Sequence, residues 1–236
     1  MEKTELLNKF FSSCFSPPTA SIPSTQHRAQ HTSSNISSQH KSSGGPLSTI
    51  ECTQEEIEKL LSTYKMQTAT GPDGISSKML RSMAESISPH LTALFNLSLR
   101  LGIVADDWKM SNVTPIHKGG EVSAAANYRP ISLLSLVSKV LERVIHNRVT
   151  KYLTANALLS KQQFGFRSGF STQEALLVAT NDWHNLLSNH QQVGAVFFDI
   201  KKAFDSVPHN QVITSLASKG IAGPLLFWFS DYLTNR

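Results

Sequence analysis

The chain has 236 residues, with 22 Lys and Arg against 17 Asp and Glu, a formal charge of +5 and a pI near 9.2. That length holds one large domain or two small ones, and the mild basicity permits a nucleic-acid partner without demanding one. Hydrophobic content of 40% supplies a core, yet no uninterrupted apolar run reaches the ~18 residues of a membrane span. Met1-Glu-Lys-Thr-Glu5 lacks the basic start and apolar centre of a secretory signal. Cys14 and Cys52 make no CxxC pair or disulfide framework. A soluble, intracellular protein of the cytoplasm or nucleus is expected, with no membrane partner.

In chain order, Glu2 to Phe15 suits a short amphipathic helix through Leu6, Leu7, Phe10 and Phe11. From Ser16 to Ser48 Ser, Thr, Gln, His and Pro dominate. Such a segment buries too little surface to offset its ordering entropy and is expected to be a disordered linker. Its histidines, His27, His31 and His40, lack the acidic or cysteine neighbours of a metal site. Order is expected from Leu47. Thr53-Gln-Glu-Glu56 is a capping-box pattern opening a helix through Ile57, Leu60, Leu61 and Tyr64. Gly71-Pro-Asp-Gly74 marks a turn; as a phosphate loop it is weak, since no GKS or GKT follows. Helices are expected over Ser77–Ile87 and Pro89–Leu101, the second ended by Gly102.

Past Trp108, Val113–His117 predicts a strand, Gly119-Gly120 a turn, and Asn127-Tyr-Arg-Pro-Ile-Ser132 a returning strand that Pro130 makes an edge or irregular one. Lys118 and Arg129 then share one hairpin. A point charge and a planar fork of donors suit a triphosphate; an ordinary basic surface hairpin is the alternative. Ser135 to Leu153 carries a broad apolar stripe from Leu136 to Tyr152. Its other side, with Lys139, Arg143, His146, Arg148 and Lys151, suits either solvent or nucleic acid. Gln163-Phe-Gly-Phe-Arg-Ser-Gly-Phe-Ser-Thr172 is a glycine-punctuated aromatic loop. Arg167 beside two glycines allows close approach to a phosphate or base, and packing of the loop on the core is the alternative. Ser171-Thr-Gln-Glu174 caps a helix running towards Leu187.

Val193-Gly-Ala-Val-Phe-Phe-Asp-Ile200 reads as a strand buried on both faces that runs into Asp199. A carboxylate there needs a cation or donors, and Mg²⁺, a hard ion taking oxygen ligands, is the usual partner. A turn-capping role for Asp199 is the alternative. Helices are expected over Asn210–Lys219, stopped by Gly220, and through Leu226, Trp228, Phe229, Tyr232 and Leu233.

Asp199, Phe204 and Asp205 are similar to the first catalytic motif of reverse transcriptases, specifically those of non-LTR (LINE-like) retrotransposons: an apolar strand, Asp, four residues, an aromatic, then often Asp. Seven further pieces resemble that family in order. They are Gly71-Pro-Asp-Gly74, Trp108-Lys109, Pro115-Ile-His-Lys118, Asn127–Ser132, Lys139 with Leu141-Glu142, Gln163–Thr172, and Asp231-Tyr-Leu-Thr-Asn-Arg236. The chain looks closest to the Jockey/CR1-like group. The resemblance implies an α+β, right-hand polymerase fragment, mostly helical with a small antiparallel sheet. Residues 1–46 would be a short helix plus linker, 47–192 fingers, and 193–236 the start of the palm. It implies RNA-directed DNA polymerase chemistry by two-metal nucleotidyl transfer. Lys118 and Arg129 would hold the incoming dNTP triphosphate, and Phe204 would sit under the sugar and reject a 2′-hydroxyl. Asp199 would be catalytic and would ligate Mg²⁺ with help from the Ile200 carbonyl. Gln163 and Arg167 would contact the RNA template and DNA primer.

The family's glycine-glutamine loop and aromatic-x-Asp-Asp hairpin occur nowhere in these residues; Asp106-Asp107 precedes Trp108 in another context. Thumb and amino-terminal endonuclease are missing too. A fragment, inactive alone, is therefore expected, with a non-enzymatic nucleic-acid-binding remnant of a mobile element as the alternative. A phosphotransferase using Asp199 as nucleophile would want an Asp at position 201, where Lys stands.

Overall fold

The computed structural model describes residues 3–13, 45–200 and 203–234, the last stretch without the side chains of Phe204 and Asp205. The linker expected over Ser16–Ser48 lies outside the described residues as far as position 44. Helix α1 spans Lys3–Ser12. In the main body the Leu47 N–H donates to the Gly220 carbonyl at 2.9 Å, and Ala222 N–H returns to Leu47 O at 3.1 Å. This parallel bridge ties the start of the body to its far end.

Helix α2 (Gln54–Ser62) begins at Thr53, whose hydroxyl accepts from Glu56 N–H. The reciprocal half of the capping box is not made by Glu56; its carboxylate instead pairs with Arg148 at 2.9 Å. Tyr64 falls just past α2, where its hydroxyl donates to Leu136 O at 2.7 Å.

Helices α3 (Ser77–Ser82) and α4 (Ala84–Leu101) break at Met83 and not before Pro89, which lies inside α4. Proline lacks the N–H that would bond Glu85 O. The Ser88 hydroxyl donates to that carbonyl at 3.1 Å, so the helix runs through the site where a start was expected. Gly102 does end α4, in the left-handed conformation (φ 66°).

A single turn, α5 (Asp106–Lys109), seats Trp108 edge-on against Phe95, centroids 5.6 Å apart. Strands β1 (Ser111–His117) and β2 (Tyr128–Leu134) form a two-stranded antiparallel sheet, with a 3₁₀ turn at Ala125–Asn127 between them. Ser135 caps α6 (Leu136–Ala155). Helix α7 (Thr172–Ser188) opens on a complete capping box, Ser171 with Glu174. Short α8 (Ala203–Ser206), α9 (His209–Ser218) and α10 (Gly223–Leu233) follow.

The main core lies between α2, α4, α6 and α10. Ile57, Leu61, Phe95, Leu136, Leu141 and Leu225 are buried there. The Trp228 indole N–H donates to the Ser98 hydroxyl at 3.0 Å, so the largest buried side chain of α10 has its polar atom satisfied. The expected class, α+β and mostly helical with a small antiparallel sheet, is what forms. Among the described residues no helix is long and apolar enough to cross a membrane.

One expectation fails. Val193–Phe198 is not a buried strand: residues 191–200 form no ladder, and Val196, Phe197 and Phe198 are 76%, 85% and 92% exposed. A strand exists only through its neighbours' N–H and C=O groups. Among the described residues this stretch has none beside it.

Candidate functional site

The hairpin is where the sequence-predicted cations meet. Ile116 lies opposite Arg129 and His117 opposite Tyr128. The pairing runs one step beyond β1, since Lys118 N–H donates to Asn127 O at 2.8 Å. Side chains alternate between the faces of a sheet. Lys118, Ile116 and Arg129 therefore share one face, with Lys118 and Arg129 as diagonal neighbours, both exposed. His117 and Tyr128 share the opposite face, with rings 5.2 Å apart.

Local contacts shape the turn at the tip. Gly119 and Gly120 have φ of 117° and 84°, a region that disfavours side chains. A Cβ on Gly120 would also meet the Asn127 amide at 2.8 Å. That amide donates to Glu121 O at 2.9 Å and closes the turn.

Two prolines set the hairpin's edges. Pro115 lies directly opposite Pro130. Counting from the bonded pair Lys118–Asn127, they fall at a non-hydrogen-bonded position, where N–H groups point outward. Their missing donors cost the ladder nothing and leave both outer edges poor templates for another strand.

The other candidate residues are not drawn into one cluster. Asp199 and Ile200 are exposed in the extended stretch after α7, and Phe204 lies in α8. Among the described residues no three His, Cys, Asp or Glu side chains come close enough to hold a metal ion. In the loop before α7, Gln163 is exposed and its amide donates to Gly165 O at 3.3 Å. Arg167 Nη1 donates to Ser160 O at 3.0 Å and Gln163 O at 3.3 Å. Its guanidinium carbon lies 4.1 Å from the Phe170 ring centroid. Arg167 thus staples the loop, and Phe166, with φ 59°, is 90% exposed at its tip.

The family model "Reverse transcriptase (RNA-dependent DNA polymerase)" matches residues 116–236 of this chain, from the hairpin through α10. The chain belongs to the reverse transcriptase family. Its relatives are RNA-directed DNA polymerases of non-LTR retrotransposons. It is 32% identical over 183 residues to the "Probable RNA-directed DNA polymerase from transposon BS" of Drosophila melanogaster, covering 77% of this chain and 20% of that protein. It is likewise 32% identical over 165 residues to the RNA-directed DNA polymerase from mobile element jockey of the same species, covering 70% and 18%. With the R2 Pol polyprotein of Nasonia vitripennis it shares 27% identity over 202 residues, 85% and 18%. The chain thus spans about a fifth of the length of the curated relatives it matches. Reverse transcriptases generally use divalent metal ions and act on nucleic acid and nucleotides.

Structure explains pieces of the reverse transcriptase pattern that looked unrelated in sequence. Lys109 and Asp231 form an ion pair at 3.0 Å, with the Lys109 side chain 9% exposed. The same Asp231 oxygen accepts from Val104 N–H at 2.7 Å. Two motifs far apart in the sequence are thus one latch between α5 and α10. Gly71 is also a packing glycine: a Cβ there would come within 2.5 Å of Ser135 N, at the cap of α6. No local signal in the sequence marks either contact.

Proposed function

We propose that this chain is the nucleotide-gripping part of a non-LTR retrotransposon reverse transcriptase, acting in template-directed transfer of dNTPs onto a primer 3′-hydroxyl. The observation that carries this is the hairpin register, which sets Lys118 and Arg129 side by side on one exposed face. Lys118 is a strongly hydrated point charge and Arg129 a fork of parallel donors. Together they match the oxygens of a triphosphate tail and neutralise it as pyrophosphate leaves. Residues 47–192 are the fingers and 193–236 the start of the palm.

Asp199 is proposed as the chain's catalytic carboxylate, with the Ile200 carbonyl beside it, and Phe204 as the residue against which the sugar packs. Mg²⁺ is the expected ion. The described residues do not fit a complete two-metal set, since Asp199 is exposed and outside any carboxylate cluster. The 236 residues contain no aromatic-x-Asp-Asp. What the chain itself supplies is charge and shape: cations for the triphosphate, an aromatic under the sugar, and the Gln163–Thr172 loop for template and primer. Arg167 serves that loop mainly by holding it rigid, leaving Gln163 at its surface.

The test replaces the aligned segment of the jockey polymerase with residues 47–236 and measures primer extension on an RNA template. Extension is expected from the chimera and none from the 236-residue chain alone. In the chimera Asp199→Asn is expected to lower kcat by about three orders of magnitude or more, through loss of a metal-directed charge. Phe204→Ala should keep dNTP use and admit ribonucleotides. Full extension by Asp199→Asn would overturn the catalytic assignment.

A further inference from the structure

The nucleotide hairpin is not left bare on its back. Helix α1 lies against it, and Leu7 and Phe11 bury themselves with Tyr128, joined by half-buried Phe10 and Ala125. Lys3 Nζ sits 5.5 Å from the centre of the Tyr128 ring, within cation–π range. Tyr128 is 8% exposed although the strand opposite it is exposed along most of its length. Its hydroxyl donates to Val122 O at 3.0 Å, which ties the buried ring to the loop at the tip. The residue after Tyr128 is Arg129, and successive side chains of a strand point to opposite faces. The contact with α1 therefore backs the very strand segment that presents Arg129 and, diagonally, Lys118.

A two-stranded hairpin is marginal in water without something packed on a face. The main core lies between the helices and does not include the hairpin's tip. From this placement we propose that α1 is a brace for the nucleotide hairpin. By packing Leu7 and Phe11 on Tyr128, it orders the tip and sets the spacing of Lys118 and Arg129 without touching the face they occupy. Leu7, Phe11 and Tyr128 are positioning residues. The proposal rests on the reading of Lys118 and Arg129 as triphosphate ligands. Helix α1 and the body belong to one chain, so docking is intramolecular and can be released by anything that takes up α1's apolar face.

The experiment uses the 236-residue chain with Leu7→Asp and Phe11→Asp together, and Leu7→Met as the conservative control. Amide hydrogen exchange is followed at residues 116–129 and, as reference, in α6. Inorganic tripolyphosphate is titrated while the Lys118 and Arg129 amide resonances are recorded. The double variant is expected to speed hairpin exchange about tenfold, leave α6 unchanged, and weaken tripolyphosphate binding at both residues several-fold; Leu7→Met should behave as the parent. Hairpin exchange unchanged in the double variant overturns the brace. Faster exchange with undiminished tripolyphosphate affinity overturns the positioning role. Failure of the underlying site is seen separately: the parent's Lys118 and Arg129 resonances would then ignore tripolyphosphate, while exchange still decides whether α1 orders the hairpin.

Discussion

Asp231 shows what a single side chain does here. One carboxylate oxygen takes a backbone N–H from Val104 and the ammonium of Lys109, and so joins the end of α4, α5 and α10. Removing one partner of a mostly buried pair leaves a charge or donor uncompensated. Because Asp231 remains about one third exposed, solvent recovers part of that loss. Asp231→Ala is expected to cost about 1–3 kcal/mol in urea unfolding, and a change under half a kcal/mol would refute the latch. Two other residues report on pH. Burial, aided by Glu56, pushes the Cys52 thiol from 9.0 up to about 12. Burial beside Glu142 raises the Tyr64 hydroxyl from 10.0 to about 12. An acid raised in the folded state keeps its proton there after the unfolded chain has lost it. Stability is thus intact below about pH 9 and falls as pH climbs towards 12. Cys52→Ala with Tyr64→Phe should flatten that decline in unfolding free energy above about pH 9; an unchanged slope would contradict it. None of these contacts was legible in the sequence. They join residues distant along the chain, and a long-range ion pair or a buried thiol leaves no periodic trace.

At the scale of elements, the helices were legible where caps and stripes agree. Ser171 and Glu174 announce α7, and the apolar face of α6 announces all but its last residues, because both signals are local physics. Ser171→Ala should lower α7 stability by about 1 kcal/mol, read as faster exchange in its first turn with α6 unaffected. Pro89 misled, since a proline reads as a helix start; the Ser88 hydroxyl that takes over Glu85 O is a detail only geometry supplies. The hairpin was legible because Gly119-Gly120 marks its turn and a short strand run lies on either side. That Pro115 faces Pro130 was not, since register depends on how many residues the turn consumes.

For the whole molecule, Val193–Ile200 is the decisive discrepancy. Its β-branched and aromatic residues favour a strand, but a strand's partners are chosen by the rest of the fold, so composition cannot show whether they are present. Left exposed, this apolar, weakly charged segment is the kind that pairs with other copies. The 236-residue chain is expected to associate as concentration rises, and Phe197→Lys with Phe198→Ser to suppress that association, as light scattering would show. In the jockey chimera the same segment should gain strand-like exchange protection. The proposed grip on the nucleotide is tested most directly in that chimera by steady-state kinetics of Lys118→Ala and Arg129→Ala. Each deletes charge-assisted bonds of about 1.5–3 kcal/mol, or roughly ten- to a hundredfold in binding. The KM for dNTP should rise by about that factor, with primer affinity unchanged and kcat lowered far less than by Asp199→Asn. A dNTP KM that stays at the parent value in both variants would contradict the assignment of this hairpin to the triphosphate.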